Sequence, residues 1–170
     1  MYKDRAIELM KRHFGKEEHY VDHALKVTGF AEEIMAGEAI DEPFFANVIR
    51  LAGIFHDVGI PVAMIKHGTS AGPLQEREGE PIAHELMAEL GVRRDIAERV
   101  AYIVGKHHTR EAVDGLDFQV IWEADALVNI PNGWGRRDYG CTFAELVDAN
   151  FRTKTGSDLI NAWGQQNIRG

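Results

Sequence analysis

Three groups of histidine and aspartate residues interrupt apolar stretches of this chain, and their side chains could share a metal ion. His56 and Asp57 end the apolar run 44–55, Asp125 lies within the apolar stretch 122–128, and His23 lies in an earlier helical pattern. A charge buried at the end of a core helix, or inside one, is costly unless it is paired or bound to a cation. Imidazole nitrogens and carboxylate oxygens both bind divalent transition metals.

Each group also has a simpler interpretation. His56 and Asp57 could be a histidine at a helix end beside a solvated aspartate. His19 and His23 are four residues apart and share a helix face, but we interpret His19 as solvated and His23 as the inward residue. Asp125 is poorly suited to a helix interior, which favours a functional role, whereas Glu123 could point outward.

The elements that must position these residues are predicted to be helices. Apolar residues recur at spacings of three and four, and alternation typical of strands is hard to find. The fold class is therefore all-α, and we expect one domain over residues 1–170, with core motifs at 20–129 and a C-terminal helical extension at 141–168. The predicted helices are an amphipathic one up to Phe14, then 17–37, 44–55, 81–90, 93–106, 118–130 and 143–151, and a last one starting at Ser157 or Asp158.

Residues 59–79 break this pattern. Glycines and prolines alternate with charged residues, so we expect a long ordered loop with at most one helical turn. Its position directly after His56 and Asp57 suggests a lid over the site, because glycines let a loop change its backbone angles at little cost.

Composition excludes several classes of protein. The chain has 170 residues, with 45% apolar and 27% charged residues, which argues against a largely disordered protein. A net charge of −8 argues against non-specific nucleic-acid binding but leaves room for a small phosphorylated ligand in a local basic pocket.

Cys141 is the single cysteine, so an intramolecular disulfide is excluded and a reducing, cytoplasmic location is expected. Neither a signal peptide nor a membrane span is expected, and the oligomeric state stays open.

The order of the motifs resembles that of the HD-domain superfamily of metal-dependent phosphohydrolases. The residues that carry the resemblance are YVDHALKV at 20–27, AGIFHDVG at 52–59 and the Ala-Asp pair at 124–125. Segments 78–83 and 100–109 also match parts common in bacterial members. The resemblance covers about 20–129 and rests on separated motifs that agree in order.

The resemblance implies a catalytic metal centre. By it, His23, His56, Asp57 and Asp125 would be ligands of a divalent metal, and two imidazoles with two carboxylates suit Mn, Fe, Co, Ni or Zn better than Mg. The expected activity is hydrolysis of a phosphate ester or anhydride in a small nucleotide-like molecule. The alternatives are an oxygen-activating di-iron site and a regulatory module that binds nucleotides without turnover.

Departures from known branches leave the substrate open. Ile60 stands where the family's deoxynucleotide 5′-phosphatases carry a glutamate. The Gly-Tyr-Pro signature of cyclic-di-GMP phosphodiesterases is absent, and the Glu-Asp pair of guanosine tetraphosphate hydrolases is not convincingly reproduced between 111 and 117.

Further residues could complete the site. His84, His107 and His108 are candidates for a second metal or for catalysis, although the family's extra histidine would fall nearer Gly79 and His84 could be an exposed helix residue. We expect at least one of His107 and His108 to line the site. Candidate phosphate-binding residues, each with a solvated surface position as the alternative, are Lys66, Arg77, Lys106 and Arg110, with Arg152 and Lys154 as a second set. Trp122 and Trp134 could stack a base, and His13 and His67 are interpreted as surface residues.

Overall fold

The computed structural model describes residues 2–133 and 142–167, and throughout these ranges the secondary structure is helical without strands. The all-α prediction is therefore confirmed. Trp134 and Cys141 lie outside the described residues, as does most of the turn-rich link predicted at 131–140. The α-helices are α1 (Lys3–Phe14), α2 (Glu18–Gly37), α3 (Pro43–Phe55), α4 (Ile60–His67), α5 (Gly72–Leu90), α6 (Arg94–Val104), α7 (Leu116–Asn129), α8 (Phe143–Asn150) and α9 (Lys154–Asn167).

The predicted loop at 59–79 is wrong, because most of it forms α4 and the first half of α5. Gly68 ends α4 in the left-handed conformation, with φ of 71°. The inward face of the first half of α5 is polar, since Gln75, Glu76 and Glu78 are all buried. A helix that buries polar residues lacks the apolar periodicity by which helices are predicted from sequence.

Helix α3 lies at the centre of the bundle. It packs against α2, α6, α7 and α1, and most of its residues are buried. Gly53 allows the close approach of α2, because a Cβ atom at this position would lie 3.2 Å from the Thr28 hydroxyl. The carboxyl end of α3, where His56 and Asp57 follow, is thus held in the interior.

The segment Pro43–His67 is long and apolar enough to cross a membrane by length and composition alone. Its most apolar window is 72% buried inside the bundle, and a turn at 56–59 divides it into α3 and α4. Such burial is what the core helix of a folded domain shows.

Candidate metal centre

Three helices bring four of the predicted ligands together. His23 Nε2 on α2 lies 3.1 Å from His56 Nε2, just after α3, and 3.1 Å from Asp125 Oδ1 on α7. Asp57 Oδ2 lies 3.4 Å from His23 Nε2 and 3.2 Å from His56 Nε2. His56 is 1% exposed, so the cluster lies at the floor of a pocket and not on the surface.

Helix ends fix the orientation of two imidazole rings. The last carbonyl groups of a helix have no partner within it. His56 Nδ1 donates to the Gly53 carbonyl at 2.9 Å, and His107 Nδ1 donates to the Val104 carbonyl at 2.8 Å. Both histidines therefore cap the helix they follow and turn Nε2, the nitrogen able to bind a metal, toward Asp57.

The charges in the cluster favour a cation. Burial by itself lowers the pKa of the His56 imidazole, but the carboxylates of Asp57 and Asp125 outweigh burial and raise that pKa to about 9. Burial works against the ionised form of Asp57, yet His56 and His107 hold the pKa of its carboxyl well below the ordinary value. Burial likewise opposes the charge on Asp125, whose pKa is lowered by His23 and His56. The carboxylates thus stabilise positive charge at the point where the four side chains meet.

A second group of donors lies on the other side of Asp57. Asp57 Oδ1 is 3.3 Å from His107 Nε2, and Asp57, His107 and His108 each offer a donor atom within 4.8 Å of the others. Among the residues that the structure describes, His107 Nε2 is buried without a hydrogen-bond partner, since its approach to Asp57 Oδ1 at 3.3 Å is an electrostatic contact and not a hydrogen bond. Buried polar atoms without a hydrogen-bond partner are rare in folded proteins. The unpartnered nitrogen of His107 therefore suits a site at which it binds a ligand.

A family model described as HD domain matches residues 20–130, which is more than half of the chain. The chain belongs to the HD domain family. No curated protein and no solved structure matches it. HD domains commonly are metal-dependent phosphohydrolases, and the His and Asp groups described above could hold the divalent metal that the family binds.

The donor chemistry of this HD domain fits such a metal. His23 Nε2 and His56 Nε2 face each other at 3.1 Å, although each is an acceptor when its ring is neutral and protonated at Nδ1. One proton between them can satisfy that pair but leaves His107 Nε2 unpaired. A divalent cation would satisfy the imidazoles and carboxylates together.

The histidines outside this centre are placed differently. His84 on α5 is exposed and belongs to neither donor group. Position 79 is a glycine, and here α5 passes close to the turn after Asp57. A Cβ atom added at Gly59, in that turn, would lie only 2.8 Å from the backbone nitrogen of Gly79. A Cβ atom at Gly79 would itself lie 3.0 Å from Val104 Cγ1, so a side chain at this position would be tightly packed against α6.

The pocket above the centre has a volume of about 490 Å³ and includes residues that the sequence did not single out. Lys26 brings a cation to its wall, and Gln75 contacts the site through its Oε1 atom, 3.2 Å from His108 Nε2. The signal for Lys26 was available, because residues 23 and 26 lie one turn apart on the same helix face. Tyr20, Asn129 and Asn132 line the same pocket.

The four predicted phosphate-binding residues do not line this pocket. Lys66 Nζ instead pairs with Glu78 Oε2 at 2.6 Å, and Arg77 Nε lies 3.8 Å from the same carboxylate. Lys106 is exposed. The Arg110 guanidinium lies over the Trp122 ring, 5.1 Å from its centroid.

Several other side chains differ from their predicted surroundings. Glu123, whose orientation the sequence left open, is fully buried. His13 is half-buried, and its Nε2 lies 2.7 Å from the Val58 carbonyl oxygen. His67 is exposed, as expected, and its Nε2 contacts Glu78 Oε1 at 2.9 Å. His19, by contrast, is 64% exposed in its side chain, as expected.

Proposed function

We propose that this HD domain hydrolyses a phosphate ester or anhydride of a small nucleotide-like molecule, using a bound divalent metal. The supporting observation is the convergence of His23, His56, Asp57 and Asp125, with intervening distances of 3.1 to 3.7 Å between their donor atoms. The mixture of imidazole and carboxylate donors favours Mn, Fe, Co, Ni or Zn over Mg. A metal bound there would supply a water of lowered pKa and a positive charge for the phosphoryl oxygens.

We further propose that Asp57 could serve two metal ions at once. Its Oδ2 faces His23 and His56, while its Oδ1 faces His107. His108 is the next donor on that side. The orphaned Nε2 of His107 supports a second, weaker position there.

The residues around the metal would hold the substrate and offset its charge. Lys26 offers an ammonium group from the pocket wall, one helical turn after His23. The amides of Gln75, Asn129 and Asn132 offer hydrogen bonds without adding negative charge. In the reaction, a bond forms between a water oxygen and phosphorus, the bond to the leaving oxygen breaks, and that oxygen takes up a proton.

The overall charge supports a small, free substrate. A net charge of −8 disfavours long-range attraction of a polyanion, whereas one lysine beside a dication can bind a single phosphate group. We therefore propose a cytoplasmic enzyme that acts on small phosphorylated molecules, not on nucleic acid or at a membrane.

Metal analysis followed by a phosphate-release screen tests this function. The purified chain would be loaded separately with Mn, Fe, Co, Ni and Zn, its bound ions counted, and nucleotides of different phosphate number supplied. Release of phosphate that depends on the loaded metal is the expected result. Tight nucleotide binding with metal but without phosphate release would instead identify a regulatory module, and turnover that needs iron and oxygen would identify an oxygenase. Two ions per chain would support the second metal position.

A further inference from the structure

A second cavity, of about 310 Å³, adjoins the pocket above the metal centre. The two cavities share three lining residues, Lys26, Val128 and Asn132. The other described residues that line the second cavity are apolar, and they include aromatic side chains from two helices, Phe30 of α2 and Trp163 of α9. The polar and the apolar cavity are thus neighbours that share a wall, and Lys26 is part of that wall.

The order of residues along α2 matches the layout of a phosphorylated molecule with an organic ring. Residues 23, 26 and 30 share one face of the helix. At about 1.5 Å per residue, Lys26 is about 4.5 Å and Phe30 about 10 Å along the axis from His23. A phosphate at the metal centre would therefore lie within reach of Lys26, and a ring joined to it by a sugar-sized spacer could reach Phe30.

Helix α9 supplies the outer wall of the second cavity, and it lies outside the part of the chain that the HD domain model matches. Its first turn is tied to the helices of the metal centre. Glu123 on α7 accepts hydrogen bonds from the backbone of Arg152 at 2.6 Å and Thr153 at 2.9 Å. Glu38, at the end of α2, accepts from the backbone and the hydroxyl of Thr155, both at 2.7 Å.

This anchoring sets the direction of α9. The helix begins beside the carboxyl end of α2, and its residue Trp163 lines the cavity with Lys26 and Phe30, so α9 runs antiparallel to α2. Leu159 and Trp163, four residues apart, share one face and border the cavity. The Trp163 ring also packs on Phe143 of α8, with 6.1 Å between centroids, which restrains its position.

We propose that Phe30, Leu159 and Trp163 form a subsite that binds the planar ring of the substrate, as in a nucleoside monophosphate, while the phosphate lies at the metal centre. This inference rests on the proposed function for the position of the phosphate. Aromatic walls favour a flat aromatic ring, because ring stacking adds a gain that a flexible alkyl chain cannot make. The Asn132 amide at the junction can donate to, or accept from, the edge of a base.

Equilibrium binding measures this subsite without requiring turnover. Adenosine 5′-monophosphate, hexyl phosphate and inorganic phosphate would be titrated into the full chain by calorimetry. Trp163→Leu keeps apolar bulk and removes the ring, and we expect it to weaken binding of adenosine monophosphate about tenfold, as for loss of one stacking contact. Binding of inorganic phosphate should stay within twofold of wild type. Trp163→Phe should restore most of the lost affinity.

The matched control is Asn161→Ala, an exposed position on α9 outside the cavity, which should leave all three affinities unchanged. Adenosine monophosphate binding that is equal in wild type and Trp163→Leu would overturn the subsite, even if the chain hydrolyses phosphate esters. An equal loss for hexyl phosphate would overturn the ring as its occupant. Conversely, ring binding that depends on Trp163 in a chain without any phosphate release would support the subsite and contradict the proposed function. If Trp163→Leu lowers the helix content, Phe30→Leu provides the same comparison from α2.

Discussion

At the scale of single residues, the geometry of the centre follows from a hydrogen bond that two of its histidines make in the same way. His56 and His107 each follow the end of a helix and donate Nδ1–H to a carbonyl three residues earlier. The same hydrogen bond that satisfies the helix end selects the tautomer whose Nε2 can accept a metal. Asp57 lies between the two rings, and each of its oxygens faces one of them.

Asp57 is therefore the residue whose loss should matter most. We expect Asp57→Ala to remove bound metal and phosphate release together, because Asp57 is the carboxylate that lies within 3.4 Å of both imidazoles of the centre, and His23, His56 and Asp125 alone would hold a dication too weakly. Metal content of the purified variant and phosphate release measure this, with circular dichroism to verify that the helices remain. Asp148→Ala, at an exposed position on α8, serves as the control and should keep both properties. Full metal occupancy in Asp57→Ala would refute the assignment.

Two lysines give a matched test of which cation contacts phosphate. Lys26 lines the pocket above the centre, whereas Lys66 pairs with Glu78. Lys26→Ala should lower kcat/KM by roughly ten- to a hundredfold, since a hydrogen bond to a charged group contributes about 1.5–3 kcal/mol. Lys66→Ala should change kcat/KM less than twofold. Steady-state kinetics with one phosphorylated substrate would decide between them, and the reverse pattern would make Lys66 the phosphate contact, as its sequence position suggested.

At the scale of helices, buried carboxylates on one element hold the start of another. Glu123 is fully buried on α7 and accepts hydrogen bonds from Gln119 at 2.6 Å, from the backbone at the start of α9, and from the Thr153 hydroxyl. Gly156 makes this possible, because a Cβ atom there would lie 2.1 Å from Glu123 Oε2.

Glu123→Gln should lower the free energy of unfolding by about 2–3 kcal/mol, because an amide cannot accept all of these hydrogen bonds and places its own donors against them. Urea denaturation followed by circular dichroism measures the change. Glu33→Gln, an exposed glutamate on α2, should stay within about 0.5 kcal/mol of wild type. Equal effects of the two substitutions would show that Glu123 does not anchor α9.

The stability that the ion pairs between α4 and α5 give to the fold should depend on pH. Glu78 is buried on α5, and hydrogen bonds from Lys66 and then His67 lower the pKa of its carboxyl from 4.5 to about 2, with Arg77 also close by. A carboxyl with a lowered pKa stabilises the fold above the pKa of the unfolded chain and loses this contribution as pH falls toward the folded value.

The melting temperature of Glu78→Gln should therefore lie below that of wild type by a constant amount from pH 7 to about pH 5. Between about pH 4.5 and 2 the difference should shrink, because the unfolded wild-type chain binds a proton at Glu78 in this range while the folded chain keeps the carboxylate ionised. Thermal melts at several pH values measure the difference. Glu111→Gln, an exposed position, should melt like wild type throughout. A difference that persists undiminished down to pH 3 would contradict this account.

At the scale of the whole molecule, the metal centre joins helices that are far apart in sequence. Its ligands come from α2, from the turn after α3 and from α7, so a bound cation would link three core elements in the folded state only. Ligand binding of this kind stabilises the folded chain by mass action.

Mn(II) at a free concentration of about 100 times its Kd should raise Tm by about 5–10 °C, which follows from about 2.7 kcal/mol of stabilisation and a shift of about 2–4 °C per kcal/mol for a chain of this size. A chelator should reverse the shift. Asp57→Asn should abolish it, and Asp148→Asn should leave it unchanged. A shift of the same size in Asp57→Asn would place the stabilising ion elsewhere.

The sequence by itself determined the helical fold, the family and the identity of the converging residues His23, His56, Asp57 and Asp125. Apolar spacing and the interruption of apolar helices by charge are local properties, so one chain is enough to detect them. The same logic failed for the first half of α5, because its buried face is polar. It left Glu123 undecided, because the backbone groups that bind Glu123 lie about thirty residues further along the chain.

Only the tertiary structure decided which lysine lines the pocket above the metal centre and which helix forms the outer wall of the neighbouring apolar cavity. Lys66 follows the His-Asp motif closely, yet Glu78 holds it away from the pocket, while Lys26 reaches it from α2. Trp163 joins the cavity from the C-terminal helix, more than 130 residues after Lys26. Contacts between distant elements depend on how the helices pack. The spacing of residues within one helix predicts its buried face but not which helix packs against that face.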